Sequence, residues 1–264
     1  MAQCHNIFKK SKAKVAADYY RNRRLQKTLK GAECMSESKL KAMLKWELES
    51  RGKGTRKDEL KRWRLVLHLI TLGDVNTDSR VLSVGCGTGY YEMVVKRYTN
   101  HLFCLDISRE MLRICRMRGF RDLIRGSSLC LPLKSDAFDC VFALSITSVG
   151  SATATELSRA RTVQQMKRVA RKGGKIVIGH PTAFWKQIRS LLQHGNPNIE
   201  RFRVSPEEAK VAYKRNNLTD LKLLILPPIA YPILRRIRYQ RIDNILSRVL
   251  LNRLGPYMLL SGVK

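Results

Sequence analysis

Hydrophobic and polar positions along the chain follow two rhythms that change over near residue 80. Before it, residues 39–50 (KLKAMLKWELES) place Leu40, Met43, Leu44 and Leu48 on one face at three- and four-residue spacing, which predicts an amphipathic helix. The run RGKGTRKD interrupts it, because glycine weakens a helix and charge replaces core residues. A second amphipathic segment over 59–72 follows, and both helices are expected to cap the main domain. From Arg80 onward, short apolar runs at 81–84, 102–105, 140–144 and 175–179 alternate with helical segments at 91–98, 109–118 and 160–170. That alternation predicts βαβ units around a parallel sheet. Beyond His180 the pattern predicts a helix at 182–193, a loop at 194–198 and a helix starting at Ser205. There a capping hydroxyl precedes Pro206, Glu207 and Glu208. Two late strands, 221–226 and 257–263, enclose a basic helical stretch at 233–254.

Length turns this pattern into a domain plan. A chain of 264 residues hides roughly 70–75% of its unfolded surface, enough for one large core. The expected division is a basic helical cap over 1–60 and a main domain over 61–264, with a helical lid or substrate region within 181–255. With 44% hydrophobic and 27% charged residues, the composition is globular and excludes a long disordered tract. The first twenty residues lack the continuous apolar core of a secretory signal, so export is not expected. The longest apolar stretch, 221–234, is too short for a bilayer and contains Pro227, Pro228 and Pro232. The seven cysteines form no metal-ligand spacing; no metal is expected, and they read as reduced, mostly buried thiols of a cytoplasmic protein.

The net charge of +30 changes the picture of partners. It suits a polyanion such as RNA, or an anionic membrane surface, and it equally suits a generally basic proteome. The excess is roughly +12 over the first 70 residues and is otherwise spread along the chain, which argues against one dedicated stripe.

The chemistry is concentrated in VLSVGCGTGYYE, residues 81–92. A buried strand runs into Gly85, Gly87 and Gly89, and a helix follows. Glycine suits a backbone that a ligand must approach closely and a turn that a Cβ disfavours. The new helix also offers unpaired N–H groups at its start. The dinucleotide fingerprint would need glycine at position 90, where Tyr90 stands. Asp106 ends the next strand about 20 residues on, where doubly wound folds place a carboxylate that binds ribose hydroxyls. An aspartate there can equally cap the following helix.

The GxGxG pattern resembles motif I of the class I S-adenosylmethionine-dependent methyltransferases. GSSLCLPLKSDAFDCVFA (126–143) is similar to the G-D-A-x-x-L-P-F-x-x-x-x-F-D-x-V segment of the ubiquinone and menaquinone biosynthesis group. VQQMKRVARKGGKIVIG (163–179) resembles that group's helix, glycine pair and strand, with Gly173–Gly174 ending the helix. The resemblance is close over 80–179 and looser to Lys264. It implies a Rossmann-like, doubly wound α/β fold with a seven-stranded, mostly parallel sheet, an antiparallel last strand and added N-terminal helices. It implies S-adenosyl-L-methionine as cofactor, with Ser83, Gly85, Cys86, Gly87 and Gly89 beside its methionine end and Asp106 on its ribose. Ile107, Met111 and Ala143 line the site by the same resemblance, and Ser127 and Ser128 lie by the adenine. Two positions depart from the family: an acidic residue is usual at Ser83, and an aspartate is common at Ser127. Each loss weakens cofactor binding by about 1–3 kcal/mol unless something compensates.

Methyl transfer from a sulfonium needs alignment and water exclusion more than it needs a set of catalytic side chains. Positions that the topology brings over the cofactor are Ser145, Thr147, His180, Tyr19 and Tyr20, with His180 and Tyr20 the catalytic candidates. Three functions follow: methylation of a small molecule, lipid or quinone-like acceptor; methylation of RNA; or a non-catalytic binding role on a retained fold. The arginines after 221–234 make peripheral contact with an anionic membrane a variant of the first. For RNA, residues 143–147 (ALSIT) lack the motif usual in enzymes that methylate exocyclic base amines.

Overall fold

The structure is a computed structural model and describes residues 56–144, 155–181, 206–226 and 257–264. The chain divides into two compact units, Met1–Leu60 and Lys61–Lys264. The second unit holds the whole sheet. Elements run α1 (Arg56–Leu72), β1 (Arg80–Val84), α2 (Glu92–Val95), β2 (His101–Asp106), α3 (Arg109–Met117), β3 (Asp122–Arg125), β4 (Phe138–Leu144), α4 (Glu156–Val169), β5 (Ala170–Pro181), α5 (Pro206–Arg215), β6 (Thr219–Leu226) and β7 (Tyr257–Val263). The seven strands lie in the order β3-β2-β1-β4-β5-β7-β6. The first five are parallel, and β7 runs antiparallel to both β5 and β6. The expected doubly wound sheet with an antiparallel β7 is what forms.

Both faces of the sheet are covered, as near-continuous apolar strands require. Leu82, Val84, Val141, Ala143, Ile176 and Ile178 face α4 and α5, packing with Val163, Met166 and Tyr213. Val81, Cys104, Phe142 and Val177 face the other way, among Leu65, Val66 and Leu69 of α1, Val95 of α2 and Cys115 of α3. Strand order reverses between β1 and β4, and the carboxyl ends of strands at such a reversal are where doubly wound folds bind ligands.

Several boundaries moved. The edge strand β3 was not located from sequence, since its four residues carry just two apolar side chains, Leu123 and Ile124. α4 starts earlier than the expected residue 160, because Thr155 accepts the Ser158 amide at 3.1 Å and opens a solvent-facing turn ahead of the apolar stripe. Gly173–Gly174 does not end α4. The helix stops at Val169, and the glycines make a turn inside β5. Gly173 has φ +76°, and a Cβ on Gly174 would stand 2.8 Å from the Arg171 carbonyl. Segment 221–226 is part of β6, with Leu221 and Leu223 packed on the core, so it is no free apolar surface for lipid. Among the described residues no helix is long and apolar enough to cross a membrane. The expected helices at 39–50, 182–193 and 233–254, the loop at 194–198, and Tyr19, Tyr20, Ser145 and Thr147 lie outside the described residues.

Candidate functional site

β1 enters the core as RVLSV and leaves it at a turn with three left-handed glycines, Gly85 (φ +73°), Gly87 (φ +56°) and Gly89 (φ +77°). The turn is tied to the end of β2 at two points. The amides of Gly85 and Cys86 donate to the Leu105 carbonyl at 2.7 and 3.0 Å. The Gly87 amide donates to Oδ2 of Asp106 at 2.8 Å. Glycine turn and aspartate therefore face one another, as a shared site requires.

Asp106 does not cap α3. Ser108 does, accepting the Met111 amide at 3.2 Å, while its own amide donates to Asp106 Oδ1 at 2.9 Å. Each carboxylate oxygen thus accepts one backbone N–H, which fixes the plane of the group. An ionised carboxylate offers about four acceptor sites. Capacity for two ribose hydroxyls remains.

The next two expected segments converge on the same point. Gly126 donates its amide to the Asp106 carbonyl at 3.1 Å, and a Cβ on Gly126 would stand 2.7 Å from Pro132. Ser127 accepts the Leu129 amide through Oγ at 3.2 Å and bridges Cys130, so its hydroxyl shapes a small turn. α4 holds this loop: Arg168 donates to the Leu131 and Leu133 carbonyls at 2.7 and 2.8 Å, and Gln165 accepts the Leu131 amide at 3.2 Å. Ile107 is 67% exposed beside Asp106, an apolar face of the kind a purine covers. Ser128 and Met111 are half-buried nearby in sequence, whereas Ala143 is fully buried in the core and its methyl belongs to that packing.

S-Adenosylmethionine fits these residues. The turn has no Cβ at three positions, Asp106 is oriented with acceptor sites to spare, and Thr88 within the turn is fully buried with an Oγ1 that has no partner among the described residues. Gly89 is the exception. A Cβ there would stand 2.6 Å from the Phe120 ring and 3.1 Å from Cys115 Sγ, so this glycine serves packing of the protein against itself. The helix after the turn is also shorter than the expected 91–98. Its four residues begin with buried Glu92, so an anion is not invited there.

Glu92 is a buried acid beside the glycine turn that sequence reasoning passed over. Its Oε1 accepts the Ser83 hydroxyl at 2.6 Å, and it is 2% exposed. The signal was an acid sharing a helix face with the buried Val95. Cys86, Cys104 and Cys115 gather behind the turn. Cys115 Sγ contacts the Gly87 carbonyl at 3.1 Å and Cys86 Sγ at 3.9 Å. The Cys86 thiol is held well above the ordinary range, first by its hydrogen bond with Cys104 and further by burial and by the charge of Glu92, against an opposing pull from Cys115.

His180 ends up fully buried near the end of β5, opposite Met258 of β7. Neither ring nitrogen has a hydrogen-bond partner among the described residues. Burial, with the Arg159 charge adding to it, lowers its pKa to about 3. So weak a base is poorly matched to removing a proton near neutrality. The sign of its linkage is definite. Between about 3 and the ordinary 6.5 the unfolded chain binds the extra proton, so stability rises with pH across that window and is complete above it. Melting temperatures measured from pH 7 to pH 4 are expected to fall, and less steeply in His180→Leu. Parallel curves would show that the imidazole is not buried.

A doubly wound sheet, with a glycine turn bonded to the aspartate of the neighbouring strand, defines the class I methyltransferase fold. Residues 82–178 match the family described as a methyltransferase domain. It is 33% identical over 107 residues to the tRNA (carboxymethyluridine(34)-5-O)-methyltransferase alkbh8 of Xenopus tropicalis, covering 40% of this chain and 16% of that protein. It is 29% identical over 126 residues to the ubiquinone/menaquinone biosynthesis C-methyltransferase UbiE of Wigglesworthia glossinidia brevipalpis, covering 44% of this chain and 47% of that one. The chain thus spans less than half the length of either relative. Among solved structures, a SAM-dependent methyltransferase from Archaeoglobus fulgidus superposes with a TM-score of 0.57 at 17% identity, over 84% of this chain and 99% of that one. The geranyl diphosphate C-methyltransferase of Streptomyces coelicolor A3(2), a complex with S-adenosyl-L-homocysteine, gives 0.51 at 17% identity, over 78% and 79%. At such identity these two show the fold alone.

Proposed function

We propose that this chain is an S-adenosylmethionine-dependent methyltransferase acting on a small-molecule, lipid or quinone-like acceptor. The observation that carries the reading is the Gly87–Asp106 hydrogen bond, which holds the glycine turn and the carboxylate on one site. When bound, the cofactor supplies a methyl group activated by its sulfonium. The work left to the chain is positioning. Asp106 binds the ribose hydroxyls, the turn from Gly85 to Gly87 lies against the methionine end, and Ile107 with Ser127 and Ser128 flanks the adenine. Acceptor selection falls to residues within 181–255. A general base is needed only for an acceptor that must lose a proton.

RNA is the second acceptor class, favoured by the charge of +30 and by the match to a tRNA methyltransferase segment. Incubation of the chain with labelled methyl donor and fractionated cell extract separates the two. Label in the organic-soluble or small-metabolite fraction is expected. Label confined to nuclease-sensitive material would move the acceptor to RNA, and no cofactor binding by calorimetry would leave a retained fold without the activity.

A further inference from the structure

α3 buries Leu112, Ile114 and Cys115. Arg109, Arg113 and Arg116, at four- and three-residue spacing, share the opposite side of the helix, and Arg121 follows just after it. Residues 109–121 hold five arginines against one acid, Glu110, with Asp122 the next acid along the chain. The fold thus gathers part of a charge that looks evenly distributed in the sequence.

This arrangement works against folding. Like charges at these spacings repel along a helix, and Arg109 stands at the positive end of the α3 dipole. Contacts within the protein do not offset the cost. Arg109, Arg116 and Arg121 are exposed, and their guanidinium groups make no hydrogen bond or ion pair among the described residues. Arg118 differs, since it donates to the Thr88 carbonyl at 2.7 Å. The contrast with α4, on the other face of the sheet, is direct. There Arg161, Lys167 and Arg168 donate to the carbonyls of Leu129, Asn216 and Leu131.

Two more exposed cations border the carboxyl end of α3. Lys96 donates to the Arg118 carbonyl at 3.4 Å and stands 4.9 Å over the Phe120 ring. Beside it, Arg97 lies 5.1 Å over the Trp63 ring. A planar cation backed by an indole suits stacking of an unpaired base, which single-stranded RNA offers and a DNA duplex does not. An anionic membrane would call for apolar side chains among the cations. Among residues 109–121 no large apolar side chain is exposed.

We propose that the outward side of α3, from Arg109 to Arg121, is a docking surface for the phosphate backbone of single-stranded RNA, with Arg97 at its margin to stack on a base. This goes beyond the function proposed above, because such binding needs neither the cofactor nor an RNA acceptor.

The test is fluorescence anisotropy of the full chain with a labelled single-stranded RNA of about 20 nucleotides, enough to fill one extended site, over a series of salt concentrations. One triple variant carries Arg109→Gln, Arg116→Gln and Arg121→Gln. Its control carries Lys134→Gln, Lys172→Gln and Lys214→Gln, which removes equal charge from exposed positions elsewhere. The arginine variant is expected to lose about tenfold or more in affinity. Its slope of log affinity against log salt should fall by about 2, since each lost phosphate contact removes about 0.7. The lysine control is expected to lose about threefold or less and to keep its slope. Melting temperature should be unchanged or higher in the arginine variant, because a repulsion has been removed. Arg97→Lys, which keeps the charge without the planar group, should weaken RNA binding and leave duplex DNA binding unchanged. Equal losses in the two triple variants, or no RNA binding by the wild-type chain, would overturn the assignment. So would tighter binding to duplex DNA, or an arginine-dependent loss seen only with phosphatidylserine vesicles. The measurement uses no cofactor, so its failure is separate from any failure of the methyl-transfer assay.

Discussion

Replacing Asp106 by alanine is expected to weaken S-adenosylmethionine binding by at least about 100-fold. Hydrogen bonds to a charged acceptor are worth about 1.5–3 kcal/mol each. Two ribose hydroxyls lose their acceptor together. The loss is larger than at any other cofactor residue, because the carboxylate also holds the site's shape: Gly87 and Ser108 both direct amides at it, at 2.8 and 2.9 Å. Removing it leaves two backbone donors to find water and lets the turn drift from the end of β2. Asp106→Asn separates these effects. The amide oxygen can keep one backbone bond, while its NH2 faces the other amide as donor against donor. Calorimetry should therefore rank wild type above Asn above Ala, with melting temperature following the same order. An Asp106→Ala chain that binds the cofactor normally would show that Asp106 is a structural brace and that the ribose lies elsewhere.

How much of this could be read beforehand differs by element. β7 was placed at its observed bounds, since an apolar run is bounded by Pro256 and the charged Lys264. β1 and β2 were within a residue or two, because continuous apolar segments flanked by turns leave little choice. The partnership of Gly87 with Asp106 was legible as spacing and became geometry without revision. What escaped notice depended on contacts across the chain. β3 is an edge strand whose single neighbour, β2, pairs with it from Phe103 to Asp106, so its stability comes from β2 and little from its own sequence. The glycines of β5 were read as a helix stop because a glycine pair after a helix usually is one. Here Gly173 donates its amide to the Lys264 carbonyl, and Lys264 returns an amide to Gly174. A pairing with the end of the chain was needed to place that turn. Glu92 was missed for a related reason. An acid in the first turn of a helix ordinarily faces water and complements the dipole, and nothing local to it announces Ser83 nine residues upstream as its partner.

Gly89→Ala is expected to be the most damaging single-methyl change at the site, and its damage should fall on stability. Two costs add. The residue sits at φ +77°, a region that costs an L side chain roughly 1–2 kcal/mol. The new Cβ would also stand 2.6 Å from Cε2 of Phe120, a ring just 6% exposed and without room to swing away. Overpacking of this kind costs about 1–3 kcal/mol. The sum, about 2–5 kcal/mol, is a large share of the roughly 5–15 kcal/mol that holds a typical domain together. For a domain of this size each kcal/mol moves the melting temperature by about 2–4 °C, so a drop on the order of 10 °C is expected. Gly119 supplies the control: its φ is +79°, and a Cβ there meets nothing within 4 Å. Gly119→Ala carries the backbone cost without the clash. Its melting temperature should fall by a few degrees, and the difference between the variants measures the Phe120 contact. Phe120→Leu, which shortens the obstructing side chain, should recover part of the loss in the Gly89→Ala background, a coupling that two independent sites would not show. If Gly89→Ala instead melts like the wild type and binds S-adenosylmethionine poorly, the missing Cβ makes room for the ligand, and Phe120 is not where the packing places it.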